Sequence, residues 1–186
     1  MRKIILMMSV SLDGFFEAPD HRLDWQLVDD ELHQHFNDEL SQMSAFLDGR
    51  VTYELMARSW PAADQDPSST PPMVEFAGIW RNMPKIVYSR TLRKADWNTT
   101  IVRSVNVDEI RQLKAQPGGD MVVGGANLAD TFLRHGLIDE HRIYVHPVVL
   151  GQGTRLYPLV DNAIRLSLVE TRTFGSGVVL LRYQNA

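Results

Sequence analysis

Met121-Val122-Val123-Gly124-Gly125-Ala126-Asn127-Leu128 is the stretch that decides the fold. Three apolar residues, read from Asp120 to Val123 as a buried strand, run straight into two glycines and then into a helix over Ala126 to His135, with Gly136 as its C-cap. Glycine opens backbone conformations closed to other residues and lets a ligand approach the chain. The first N–H groups of the helix have no internal partner, and the helix dipole favours an anion there. Strand, tight turn and helix start together make a device for holding a phosphate or pyrophosphate. The spacing is neither the G-x-G-x-x-G of a dinucleotide fingerprint nor the G-K-[ST] of a P-loop, so the stretch by itself is equally compatible with an empty turn.

Upstream of this turn, residues 2–11 form a near-continuous apolar run, the mark of a strand covered on both faces, and Ser11-Leu12-Asp13-Gly14 ends it. Leu32, Phe36, Leu40, Met43 and Leu47 form one apolar stripe, which predicts a helix over 29–46 capped by Asp29 or Asp30. Residues 58–72 carry prolines, Ser and Asp and read as an irregular exposed loop. A helix over 72–82, a strand over Lys85–Tyr88 and a short strand at 100–103 follow. Asn106-Val107-Asp108-Glu109 opens a further helix to about 116 in the manner of a capping box. Strands at 140–146, 164–173 and 177–184 close the chain, the last two joined through Gly175-Ser176-Gly177 as a hairpin. Alternating strands and helices imply a parallel sheet with helices on its faces, and the terminal hairpin makes the sheet mixed.

Composition narrows the function. The chain has 186 residues, fitting one domain over 1–186, and a net charge of −4, which argues against general nucleic-acid binding. With no cysteine, disulfides, thiolate metal sites and a catalytic Cys are excluded. No segment approaches the ~20 apolar residues of a membrane span, and Arg2-Lys3 followed by a short apolar run without a cleavage pattern reads as a first strand, hence a cytoplasmic chain. The six histidines do not form a metal site: His33 and His35 face different sides of a helix.

Three further segments are suited to a phosphorylated ligand. Gly49-Arg50-Val51-Thr52 places an arginine and a hydroxyl at a helix start. Ser89-Arg90-Thr91 follows a strand, and two hydroxyls flanking an arginine suit a ribose 2′-phosphate; one charged hydrogen bond, about 1.5–3 kcal/mol, gives roughly ten- to a hundredfold preference for the phosphorylated dinucleotide. Asp13 and Gly14 lie in a loop leaving a central strand, a common place for a ligand. Each segment alone also reads as an ordinary turn.

In sequence order these segments, with Glu54, Pro84 to Leu92, Leu137-Ile138-Asp139-Glu140 and Pro147 to Gly153, carry a resemblance over nearly the whole chain. The chain resembles the dihydrofolate-reductase-like superfamily, specifically the C-terminal reductase domain of bifunctional riboflavin-biosynthesis proteins and its stand-alone relatives. The resemblance implies a three-layer α/β fold and an NADPH-dependent reductase of a small heterocyclic or carbonyl substrate, similar to 5-amino-6-(5-phosphoribosylamino)uracil reductase. It implies Arg50 and Thr52 at the phosphates, with Gly49 beside them, and Ser89, Arg90 and Thr91 at the 2′-phosphate. Gly124, Gly125, Ala126, Asn127 and Leu128 would hold the pyrophosphate. Gly14 and Asp13 would border nicotinamide and substrate, with Asp13 as the catalytic residue that polarises or protonates the substrate, and the protein would be a homodimer joined through its C-terminal strands.

Two departures matter. Folate-reducing relatives carry a carboxylate in the first long helix, where this chain reads Leu32-His33-Gln34-His35-Phe36-Asn37. That counts against dihydrofolate reduction and leaves the proton donor open. The zinc deaminase signature of the bifunctional proteins needs cysteines that this chain lacks. A non-catalytic dinucleotide- or metabolite-binding relative is the alternative reading. Trp25 and Trp60 flank the pocket segments as candidate walls.

Overall fold

The computed structural model describes residues 1–157 and 163–186. Eight strands form one sheet in the order β5-β4-β3-β6-β1-β7-β10-β9. They are β1 Ile4–Ser11, β3 Ala45–Gly49, β4 Lys85–Tyr88, β5 Thr99–Val102, β6 Met121–Gly124, β7 Glu140–His146, β9 Leu166–Thr173 and β10 Val179–Asn185. The first six are parallel; β10 runs antiparallel to β7 and to β9, as the hairpin signal requires. Two short strands, β2 Phe15–Glu17 and β8 Thr154–Arg155, pair separately, and the sequence gives them no periodic signal.

Alternation along the inner strands builds two cores. Ile4, Leu6, Ala45, Leu47, Met121 and Val123 face helices α4 (Val107–Ala115) and α5 (Ala126–Arg134), meeting Ile110, Leu128 and Phe132. Ile5, Phe46, Val87 and Val122 face the other way, toward α2 (Arg50–Ser59) and α3 (Pro71–Asn82), meeting Tyr53, Phe76 and Trp80. Helix α1 (Asp30–Ser41) adds Leu32 and Phe36 over Tyr144 and Leu180. The result is the expected three-layer α/β arrangement: a mixed sheet with helices on both faces and an antiparallel C-terminal pair.

One expectation fails. The helix predicted over 29–46 stops at Ser41, and Ala45–Gly49 is strand β3, between β4 and β6. Met43 and Leu47 keep helical spacing from Leu40 only by coincidence; Ala45, Phe46 and Leu47 are a short run buried on both faces of the sheet. The segment read as irregular also holds a 3₁₀ turn over Trp60–Gln65. Other local signals read correctly. Asp29 caps α1 through Leu32 N–H, Asn106 caps α4 through Asp108 and Glu109 N–H, and Gly136 ends α5 at φ +60°. Among the described residues no helix is long and apolar enough to cross a membrane.

Candidate functional site

All four ligand-suited segments leave the carboxyl ends of parallel strands, so the topology gathers them on one edge of the sheet, where open α/β sheets bind ligands. β3 and β6 are neighbours, with Asp48 opposite Gly124, and β4 lies beyond β3 with Tyr88 opposite Gly49. Helices α2 and α5 therefore start side by side. Neither Gly49 nor Gly125 provides a side-chain cap, in contrast to Asp29 and Asn106 on α1 and α4. Two sets of free N–H groups and two positive helix ends thus meet at one place.

Gly125 is required by packing as well as by conformation, and Gly124 is tightly packed. Gly125 has φ +83°, and a Cβ there would overlap Thr52 Oγ1. A Cβ at Gly124 would stand 3.2 Å from Asp48 Oδ1. The turn is thus pressed against the side chains of Asp48 and Thr52. Ala126 and Leu128 are buried on the core side of α5, while Asn127 is exposed at the helix start.

β1 shapes the rest of the edge. It pairs with β6 only as far as Leu6, opposite Val123, but continues along β7 to Ser11, opposite His146. Met8 to Ser11 project past the end of β6 by roughly 13 Å at about 3.3 Å per residue. On that side their backbone has no strand partner among the described residues, and Met7, Met8 and Ser9 are part-exposed. The edge is consequently a step: the Gly124-Gly125 turn is the floor and β1 with β7 the wall.

Each remaining residue has a definite place. Arg50 is exposed at the start of α2, 2.9 Å from Glu54 across one helical turn. Ser89 Oγ accepts from Thr91 N–H at 3.2 Å and Leu92 N–H at 2.9 Å, so that oxygen shapes the turn; Arg90 and Thr91 are exposed beside it. Arg103, absent from the sequence reading, donates to Ser89 and Leu92 carbonyls and ties down the same turn. Gly14 takes φ +86° and closes the turn with a hydrogen bond to Ser11 O.

Asp13 is held by three hydrogen bonds. Its carboxylate accepts from Ser11 Oγ at 2.6 Å, Gly151 N–H at 2.7 Å and Leu150 N–H at 3.1 Å. The Ser11 hydroxyl and those two amides hold it down to about 2, so it carries no proton at neutral pH. It also lies at the far end of the projecting β1–β7 pair. Its geometry is that of a strut between the loops after β1 and β7, and a proton donor is the one role that geometry does not suit.

The residue that sequence reading passed over is Asp48. It is 6% exposed, and burial pushes its carboxyl up to about 7 against the opposing charge of Lys85. Lys85 is itself buried and drawn down to about 8, donating to the carbonyls of Trp80, Met83 and Trp97. An aspartate inside the apolar run Ala45-Phe46-Leu47, directly before Gly49-Arg50, was the available signal. The aromatic residues divide. Trp60 packs on His33 and Phe76 at the α1–α3 junction, and Trp25 meets His146 edge-on. His146 Nδ1 accepts from Leu27 N–H, and burial lowers the imidazole to about 4, so it stands neutral at the end of β7.

Fold and edge together define a three-layer α/β protein with a step at the carboxyl end of its parallel strands. The chain belongs to the family of the RibD C-terminal domain, whose model matches residues 2–180. It is 38% identical over 183 residues to the uncharacterized protein YyaP of Bacillus subtilis (strain 168), covering 98% of this chain and 94% of that one. A second protein of that organism, YwjB, also uncharacterized, is 28% identical over 184 residues, covering 96% of each chain. Among solved structures, one from Shewanella sp. PV-4, assigned provisionally to riboflavin biosynthesis, superposes with TM-score 0.77 at 20% identity over 100% of this chain and 99% of that one. The Thermotoga maritima diaminohydroxyphosphoribosylaminopyrimidine deaminase/5-amino-6-(5-phosphoribosylamino)uracil reductase gives 0.68 at 16% identity, covering 100% of this chain and 57% of that one. At these identities the two structures speak for the fold.

Proposed function

We propose that this protein is an NADPH-dependent reductase of a small heterocyclic or carbonyl substrate, with the cofactor laid along the step. The carrying observation is the side-by-side, uncapped starts of α2 and α5 around Gly124-Gly125. That donor set suits a diphosphate: backbone N–H groups of both helices and the Thr52 hydroxyl, with the Arg50 guanidinium at the rim. Arg90, exposed and without a side-chain partner among the described residues, is the cation for a 2′-phosphate, with Thr91 beside it. The unpaired backbone of Met7 to Ser9 offers amide donors and acceptors to a carboxamide or a heterocycle edge.

When bound, NADPH supplies the hydride; the protein orients the nicotinamide against an electron-poor carbon and excludes water. The wall of β1 and β7 and the loop carrying Trp25 do this from one side. With Asp13 held ionised, the proton comes from another group or from water. That same fact favours the second reading, a dinucleotide-binding relative without turnover. The relation to the Thermotoga maritima enzyme points to pyrimidines as the first substrates to assay.

Titration of the protein's fluorescence with NADPH, then turnover on pyrimidines, pterins and carbonyls, tests the proposal. Saturable binding, weakened roughly tenfold or more by Arg90→Ala with little effect on NADH, is the expected result. No binding at millimolar NADPH by folded protein rejects it, and binding without turnover of any substrate selects the second reading. We also assign a homodimer through the edge strand β9, where Leu168 is 57% and Val169 48% exposed. Light scattering that shows only monomer at high concentration rejects that assignment.

A further inference from the structure

Asp48 is a buried acid with no task in the reading above. It is the last side chain of β3 before the start of α2, and among the described residues no hydrogen bond or ion pair reaches its carboxyl. Buried polar groups are nearly always paired, and a buried charge more so. Its carboxyl oxygens keep a trace of solvent contact and are aimed at a particular place: Oδ1 stands 3.2 Å from the Cβ position of Gly124, against the turn where two uncapped helices begin. The neighbours are few. Lys85 on β4 is the charged group that acts on it, and its ammonium is turned to three backbone carbonyls. Thr52 on α2 and Gly124 on β6 are uncharged.

Two negative charges held close together repel, so a phosphate at the turn disfavours the ionised form of the Asp48 carboxyl. A neutral carboxyl, by contrast, is an O–H donor, the complement of a phosphate oxygen. We propose that Asp48 is a ligand-binding residue of the Gly124-Gly125 turn, protonated when an anionic ligand is in place and donating its O–H to a phosphate oxygen. Binding of the ligand then carries a proton from solvent into the site. The proposal rests on the reading that this turn holds a phosphate. It is consistent with burial having already brought the free carboxyl up to about 7, so that an added anion raises it further.

The test is NADPH binding by calorimetry from pH 7 to 9, above the titration of the 2′-phosphate near 6. Each point is taken in two buffers of different ionisation heat, for wild type, Asp48→Asn and Asp48→Leu. Wild type is expected to take up a fraction of a proton rising toward one, with Kd increasing by up to about tenfold per pH unit. Asp48→Asn, which keeps a donor, shows a flat profile and no proton uptake, and binds more tightly than wild type at pH 9. Asp48→Leu is flat and weaker than Asp48→Asn throughout. In the wild type with NADPH at pH 8, the carbonyl carbon of Asp48, assigned by its loss in Asp48→Asn, keeps the NMR shift of a neutral carboxyl. Wild-type binding with no pH dependence and no proton uptake overturns the proposal and leaves the cofactor reading standing, as does an Asp48→Asn profile that follows the wild type. Absence of any wild-type binding overturns the cofactor reading, and this inference with it.

Discussion

Replacing Asp48 by Asn in the ligand-free protein should change the pH dependence of stability more than any other single substitution at the edge. The Asp48 carboxyl is buried in the fold and free in the unfolded chain, and its folded value of about 7 stands above an ordinary 3.8. A group raised on folding favours the fold while it is protonated. Its contribution is complete below about 3.8, declines as pH rises, and is gone above the folded value near 7. At 1.36 kcal/mol per unit, a shift of about three units corresponds to roughly 4 kcal/mol lost between pH 4 and pH 8. Asparagine has nearly the same shape and does not titrate, so it escapes that loss. Urea unfolding of both proteins at several pH values between 4 and 8 reads the difference directly, because every other titrating group is common to the pair. The two stabilities should lie close together at pH 4 and separate steadily, with Asp48→Asn the more stable by several kcal/mol at pH 8. A constant difference across that range would refute the argument, showing that Asp48 ionises in the fold as it does in water.

Other perturbations probe the frame around the site. Gly125→Ala places a Cβ at φ +83° and into Thr52 Oγ1, and should cost about 2–4 kcal/mol in urea unfolding; Thr52→Ala in the same chain should recover the steric part and leave the ~1–2 kcal/mol of the left-handed backbone. Glu140 is buried and accepts from Lys3, Arg142, Arg182 and Gln184. Burial raises its carboxyl, but the donors outweigh that and hold it down to about 2. Glu140→Gln should therefore cost about 3–5 kcal/mol at neutral pH, and equal stability of the two proteins would show that the cluster is solvated. Asp13→Asn should speed amide exchange at Leu150 and Gly151, whose N–H groups it receives, without altering the acidic limb of any rate profile above pH 4.

What the sequence disclosed depended on how local the determining physics is. Met121 to Leu128 carries its own structure: a strand buried on both sides, a glycine at φ +83° that other residues rarely adopt, and an apolar helix face. Asp29 and Asn106 were likewise legible, because a capping residue binds N–H groups two or three positions away. Strand β3 was hidden because Met43 and Leu47 continue the helical spacing of Leu40, while the β4 and β6 neighbours that make Ala45–Gly49 a strand lie elsewhere in the chain. The charge state of Asp13 is not legible for a similar reason. The loop it occupies is visible in Ser11 to Gly14, but Leu150 and Gly151, which fix its charge, are 137 and 138 residues away. Asp48 stood in plain view, yet its oddness is a matter of burial without a partner, which only the packed structure supplies.

The central proposal is that the starts of α2 and α5 grip the diphosphate of a dinucleotide. A crystal structure of the protein grown with millimolar NADPH tests it most directly. Diphosphate oxygens are expected within hydrogen-bond distance of the N–H groups after Gly49 and Gly125, and the 2′-phosphate at Arg90. The nicotinamide is expected along Met7 to Ser9. An empty edge at that concentration, or the cofactor lodged away from Gly124-Gly125, would contradict it.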